Sequence, residues 1–261
     1  LDAAKWVIFN TTSGPDVDLT SEIIIREHIT STNLLDVCLE LERLRPACSS
    51  NLLTAMLQQN PNNEIRGNAC FSLAMLAKAQ WGYGTNKQAT ARAKGLLSRV
   101  IKDFGKVQRE GARLEQRAKP ELMELERLSI GEVAPEITGE TLDGQPLALS
   151  SYRGKVVVLR FWSGDCLEGK EMRRLSDRVT GKPVQLLGVN CDVEVGPAKA
   201  EIEKYAVEWP SFNDGRSGPI STTWYVNSWP TTFVLDRRGV IRFRNLRDTQ
   251  LIKAVEQLAA E

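Results

Sequence analysis

Apolar positions in the first half of the chain recur every three or four residues. Leu34, Cys38, Leu41 and Leu44 make one stripe, and Leu52, Leu53, Met56 and Leu57 make the next. Asn60-Pro-Asn-Asn63 breaks the period, and Asn60 reads as an N-cap with Pro61 in the first helical position. Ile65, Ala69, Leu73 and Leu76 form the stripe of the helix that follows. Trp81-Gly-Tyr-Gly84 reads as a loop. Leu96, Leu97, Val100, Ile101 and Phe104 predict a further helix, and Leu114, Ala118, Leu122, Leu125 and Leu128 the last. Short amphipathic helices joined by short breaks predict an all-α bundle or array over residues 1–127, packed as antiparallel hairpins. The stretch from Pro61 to Lys78 looks a little like a solenoid repeat, but no fixed period supports one. Asp16 to Glu27 carries no motif. This half reads as a structural, partner-binding domain without chemistry of its own.

After Leu128 the period changes. Gly131 to Pro135 is a loop, and Thr141-Leu-Asp-Gly-Gln-Pro146 carries the Asp-Gly signature of a tight hairpin. Lys155 to Phe161 is a continuous β-branched run, the mark of a strand buried on both faces. Lys170 to Val179 reads as a helix, Val184 to Asn190 as a second buried strand and Ala198 to Ala206 as another helix. Asp214 to Pro219 reads as a flexible connection. Thr231 to Leu235 and Val240 to Arg244 read as strands joined by Asp236-Arg-Arg-Gly239. Thr249 to Ala260 closes as an amphipathic helix. After an N-terminal hairpin, the order β-α-β-α-β-β-α predicts a mixed sheet covered by helices over residues 128–261. The fold class is therefore α+β with two domains.

Composition narrows the classes of function. Of 261 residues, 42% are hydrophobic and 26% charged, as in a globular protein with a real core. The formal net charge of +1 gives no reason to expect nucleic acid or an anionic membrane as partner, and no apolar run reaches the length of a membrane span. The chain starts at Leu1, so a signal segment or anchor removed by processing stays open. Its five cysteines are Cys38, Cys48, Cys70, Cys166 and Cys191, an odd number that leaves at least one thiol outside intrachain disulfides. The first three sit among apolar helical residues and read as small buried hydrophobes, with a Cys38–Cys48 pair as the alternative. With His28 as the single histidine and no CxxC, neither a metal site nor a cofactor is expected.

Several stretches resemble the thioredoxin superfamily, in the branch of TlpA- and ResA-type thiol-disulfide reductases grouped with the AhpC/TSA redoxins. Gly131-Glu-Val-Ala-Pro-Glu136 resembles the opening motif of that branch. Leu142-Asp-Gly-Gln-Pro-Leu147 followed by Leu149-Ser-Ser-Tyr-Arg-Gly-Lys155 resembles its next stretch, and Val156-Val-Val-Leu-Arg-Phe-Trp162 the strand that leads to the redox centre. Leu186-Leu-Gly-Val-Asn190 resembles the strand after it, and Trp229-Pro-Thr-Thr-Phe-Val-Leu-Asp236 the cis-proline segment. The resemblance implies a thioredoxin-like α/β/α sandwich, protein thiols or disulfides as substrates, and an exported or periplasmic setting.

The redox centre departs from the pattern. Members read approximately Phe-Trp-x-x-Trp-Cys-Gly-Pro-Cys, where this chain has Phe161-Trp-Ser-Gly-Asp-Cys-Leu-Glu-Gly169. Cys166 falls on the nucleophilic cysteine and Gly169 on the resolving one. Arg160 stands where many thioredoxins place a proton-relaying carboxylate. Two-cysteine reductases release product by intramolecular attack of the second thiol, so the ordinary cycle would stall here at the mixed disulfide. The resemblance puts Cys166 at a helix N-terminus, where the dipole favours thiolate. Lys170 helps modestly, while Asp165 and Glu168 oppose. Pro230 is implied to face Cys166 and to let a substrate chain lie alongside. Trp162, Trp224 and Trp229 either gather as an apolar landing surface or pack in the core. Cys191, just after a central strand, is a candidate disulfide partner for Cys166 or an unpaired thiol.

Three functions follow from these residues. One is a single-cysteine thiol-disulfide oxidoreductase or isomerase acting through Cys166, with an external thiol resolving the adduct. The second is a redox-silent module that binds a polypeptide. The third is a thiol peroxidase, for which Ser163 stands three residues before Cys166 and Arg160 offers a cation. Leu159 replaces the proline of the peroxidase motif. Arg237, Arg238, Arg242, Arg244 and Arg247 read as solvated charge around the last hairpin.

Overall fold

The structure is a computed structural model that describes residues 1–261 except 12, 81–86, 165–168 and 207. It divides into two compact units. One takes Leu1–Trp81 and Asn86–Leu125, the other Glu126–Glu261.

In the first unit the helices are α1 (Asp2–Asn10), α2 (Pro15–Ile23), α3 (Leu35–Leu44), α4 (Ser49–Gln59), α5 (Asn63–Ala79), α6 (Lys87–Phe104) and α7 (Leu114–Leu128). A π-helical turn, Ile24–His28, continues α2. Helix α5 is buried on most of its circumference because it packs against α3, α4 and α6. Its small residues allow close approach: a side chain at Gly67 would begin 3.0 Å from Cβ of Phe104 on α6. Arg109 is buried, bonding Glu42 at 2.6 Å and Ser72 at 3.0 Å, so its charge and its donors are satisfied together. Cys38, Cys48 and Cys70 are buried free thiols, so the alternative of a Cys38–Cys48 disulfide is not realised.

Two local expectations are corrected. The cap of α5 is Asn62, whose side chain accepts from the Glu64 amide, rather than Asn60. Asn60 instead sends its amide group to the carbonyls of Ile29 and Ser31. The unit also contains a small hairpin, β1 (Gln108–Arg109) and β2 (Ala112–Arg113), turned by Glu110 and Gly111 at positive φ. Trp81 to Gly84 lie outside the described residues.

The second unit opens with the hairpin β3 (Thr138–Glu140) and β4 (Pro146–Ala148), followed by a 3-10 turn at Leu149–Tyr152. Then come β5 (Val156–Trp162), α8 (Gly169–Val179), β6 (Val184–Asn190), α9 (Val195–Lys204), β7 (Ser211–Asn213), α10 (Pro219–Thr223), β8 (Thr231–Leu235), β9 (Ile241–Arg244) and α11 (Asp248–Ala260). The sheet order is β7-β6-β5-β8-β9, with β5, β6 and β7 parallel and β8 and β9 antiparallel to their neighbours. This is the thioredoxin-like sandwich with a mixed sheet. The short strand β7 and helix α10 are additions to the expected order, and they flank the connection that starts at Asp214.

Alternation along β5 assigns its side chains to two faces. Val156, Val158 and Trp162 pack with Met172 and Leu175 of α8, Ala198 of α9, and Leu251 and Val255 of α11. On the other face, Phe161 meets Trp224 at 5.8 Å and Phe233 at 6.1 Å between ring centres. Trp162 and Trp224 are fully buried on these opposite faces, so they are core residues and do not form a landing surface. Arg244 is likewise not solvated; it is buried over the ring of Phe233 at 5.0 Å.

Both edges of this sheet are closed by one segment. Gly131 and Ala134 donate to the carbonyls of Ile241 and Gly239, and Ile241 donates to Glu132, along the β9 edge. Thr141 then bridges Phe212, and Leu142 donates to Ser211, along the β7 edge.

Candidate functional site

The end of β5, the start of α8 and the start of α11 meet around one ion pair. Arg160 on β5 is 2% exposed, and a cation so placed needs a partner. Its guanidinium donates to Thr232 Oγ1 on β8 at 3.2 Å and faces Glu171 Oε2 on α8 at 3.5 Å. The other oxygen of Glu171 accepts from the backbone N–H of Asp248, the first residue of α11. One carboxylate therefore ties a sheet strand and two helices together at this end of the sheet.

A second carboxylate fixes the chain as it leaves β5. Asp192 accepts from the Gly164 amide at 2.8 and 3.0 Å and from the Asn190 side chain at 2.7 Å. The Cys191 amide donates to the Trp162 carbonyl at 2.8 Å, continuing the β5–β6 ladder by one bond. The loop after β6 is held in turn by Asp214, which accepts from the amides of Ile220 and Ser221 and from the Ser221 hydroxyl.

Gly169, in the place of the resolving cysteine, is the first residue of α8. A Cβ built there would stand 2.2 Å from Cγ and 2.7 Å from Cβ of Tyr205, just past α9. The root of the Tyr205 ring thus fills the volume a resolving side chain would start from. Gly169 lines a cleft of about 430 Å³ together with Lys170, Glu171, Arg174, Tyr205, Arg247 and Asp248.

Of the predicted site residues, Cys166 lies outside the described residues, with Asp165, Leu167 and Glu168 beside it. Pro230 follows a cis peptide bond from Trp229, and both are half-buried at the head of β8. Ser163 sits between Trp162 and the Asp192-bound Gly164. Cys191 is buried and free; burial pushes its thiol up to about 11, against the effect of the neighbouring Ser221 hydroxyl at 3.4 Å. Arg160, near the end of β5, is directed to Glu171 and Thr232, while Lys170, at the start of α8, lines the cleft. Asp192, Glu171 and Tyr205 are the positions that sequence reasoning missed.

The sequence profile of the AhpC/TSA family, whose members carry this fold, matches residues 130–244. A thiol-disulfide oxidoreductase ResA of Geobacillus kaustophilus is 32% identical over 123 residues, which cover 44% of this chain and 68% of the relative. The chain belongs to this family, in its ResA/TlpA branch. A ResA of Bacillus thuringiensis is similar at 28% identity over 120 residues, covering 44% of this chain and 69% of its own length. The solved thioredoxin domain of a thiol-disulfide oxidoreductase from Bacteroides vulgatus aligns with a TM-score of 0.45 and 26% identity, over 51% of this chain and 99% of its own. The family's matched residues lie within the second unit. No helix among the described residues is long and apolar enough to cross a membrane.

Proposed function

We propose that this member of the ResA/TlpA branch is a thiol-disulfide oxidoreductase or isomerase that works with one active-site cysteine, Cys166. The observation that carries the reading is Tyr205 over Gly169. Space for a resolving side chain is already taken, so the second half of the usual cycle has no residue to perform it. Cys191, the other cysteine of the unit, is a poor substitute, because a buried thiol raised to about 11 supplies almost no thiolate near neutral pH.

The chemistry is then a two-step exchange with an external reductant. The Cys166 thiolate attacks one sulfur of a target disulfide, forming a Cys166 mixed disulfide and releasing the other sulfur as a thiolate. An external thiolate next attacks the target sulfur of that adduct; the new disulfide joins target and reductant, and Cys166 leaves as thiolate. The half-buried Trp229-Pro230 turn supplies backbone beside which a polypeptide substrate can extend. Arg160, where a proton relay stands in other members, is engaged by Glu171 and Thr232. This fits the loss of a thiol that needs deprotonation, and it also removes the cation that a peroxidase reading requires.

The test is to incubate the chain at pH 7 with a model peptide disulfide and to map adducts by peptide mass spectrometry under non-reducing conditions. A mixed disulfide on Cys166, absent from Cys166→Ser, is the expected result. If Cys166 forms no adduct and alkylates no faster than a free thiol of pKa about 8.5, the unit is a redox-silent binding module instead.

A further inference from the structure

We infer that Cys191 is a positioning residue for the Trp229–Pro230 turn: its thiol joins Asp214 and Ser221 on one side to the Trp229 indole on the other, and this link holds the turn in the form that meets a polypeptide. The inference rests on the reading that the turn receives a substrate chain. It gives a role to a buried thiol that the exchange steps leave unused.

Both oxygens of Asp214 are acceptors, Oδ1 for the Ile220 amide at 2.8 Å and Oδ2 for the Ser221 amide at 2.7 Å. The Ser221 hydroxyl, 2.5 Å from Oδ2, therefore donates its one proton there. Towards Cys191 Sγ, 3.4 Å away, Ser221 Oγ then offers only a lone pair, so the thiol is the donor in that contact. The Val189 carbonyl, 3.6 Å from the sulfur, is the competing acceptor. The Trp229 indole N–H also bears on this sulfur: burial raises the thiol, and the Ser221 hydroxyl and then this N–H work against it. Trp229 Nε1 is buried and has no oxygen or nitrogen acceptor among the described residues. Donors thus run one way, from Trp229 through Cys191 and Ser221 to Asp214, an arrangement in which each bond polarises the next.

The backbone ties the same residues to the turn. The amides of Asp214 and Gly215 donate to the carbonyl of Asn190, the residue before Cys191, at 3.1 Å each. The Val226 amide donates to the Ser221 carbonyl at 2.9 Å, three residues before Trp229. Thr231, just past Pro230, donates its hydroxyl to the Ser228 carbonyl at 2.8 Å. The segment from Asp214 to Trp229 is thus held on the end of β6, and Cys191 is the side chain there that bears on the turn itself. Cys191→Ala keeps these backbone bonds and removes the side-chain link alone.

Two measurements on the full chain test the link. In Raman difference spectra against Cys191→Ala, the Cys191 S–H stretching band should lie below that of a free thiol and move back up in Ser221→Ala. A band that Ser221→Ala leaves in place assigns the proton to the Val189 carbonyl and overturns the inference. The second measurement is binding of the model peptide of the exchange assay with serine in place of its cysteine, so that no exchange can occur. Binding should weaken about fivefold in Cys191→Ala, the worth of one hydrogen bond, and return to within about twofold in Cys191→Ser, which keeps a donor and an acceptor in place. Equal binding in all three chains, a loss that serine does not restore, or no binding by the parent chain overturns the inference. None of these outcomes depends on Cys166. A Cys166 mixed disulfide that forms while Cys191→Ala binds normally spares the single-cysteine reading alone. No such adduct, together with the fivefold loss and its rescue, sinks that reading and sustains the inference.

Discussion

Tyr205 and Gly169 are 36 positions apart in the chain, yet the ring of one begins where a side chain of the other would. The contact runs from the end of α9 to the first residue of α8. It makes glycine at this place a packing requirement as well as a chemical loss. Gly169→Ala should cost about 1–3 kcal/mol in denaturant unfolding, the usual range for overpacking. Gly169→Cys alone should not restore two-cysteine turnover in an insulin-reduction assay, whereas Gly169→Cys/Tyr205→Ala has the room to do so. Full stability of Gly169→Ala would show that Tyr205 yields freely.

The Arg160–Glu171 pair predicts strongly unequal single variants. Glu171→Gln removes a carboxylate that faces a buried guanidinium and should cost about 3 kcal/mol. Arg160→Met leaves Glu171 nearer the surface, still bonded to the Asp248 amide, and should cost less. The double variant should be more stable than the two single effects added together, as a double-mutant cycle in urea would read. Strict additivity would mean that the two residues do not act as a pair.

Asp192 is predicted to order the segment that follows β5. Asp192→Ala removes the acceptor for the Gly164 amide and should raise the hydrogen-exchange rate of that amide about tenfold or more, the worth of a bond to a charged group. The same variant should lower the yield of Cys166 adduct. An unchanged Gly164 exchange rate would count against any anchoring role.

The buried thiols predict an alkaline limit to stability. Burial raises Cys38 to about 12, and Cys70 and Cys191 to about 11, from a reference of 9.0. The folded state therefore holds these protons more tightly than the unfolded chain. Their contribution is complete below pH 9 and is lost as pH rises toward 11 and beyond. Denaturant midpoints should fall across that window, and less steeply in Cys38→Ala or Cys191→Ala. At pH 8 Cys191 should alkylate about a hundredfold slower than an exposed thiol. Equal slopes in the variants would remove the cysteines from the cause.

Much of the second unit was legible because each core element is long enough to show its period. The β5 run and the stripe of α11 needed no tertiary information. Ser211–Asn213 was not legible, since three residues carry no period, and the Gln108–Arg113 hairpin was hidden for the same reason. Asn60 misled because Pro61 follows it; its side chain is spent on carbonyls 29 and 31 positions earlier in the chain, a demand no local pattern encodes. At the site, the absence of a second cysteine could be read directly. What replaces it could not, because Tyr205, Asp192 and Glu171 act across elements.

The segment from Gly131 to Leu142 touches both margins of the central sheet, and this has a consequence for how the unit can be cut. Removing it would uncover two unpaired strand borders at once, one along β9 and one along β7, each a template for pairing with another molecule. A version of the unit trimmed past Leu142 should therefore self-associate into sheet-rich aggregates even though every strand of the sheet and the whole of α8 remain. Trimming within the helical unit leaves this double seal in place.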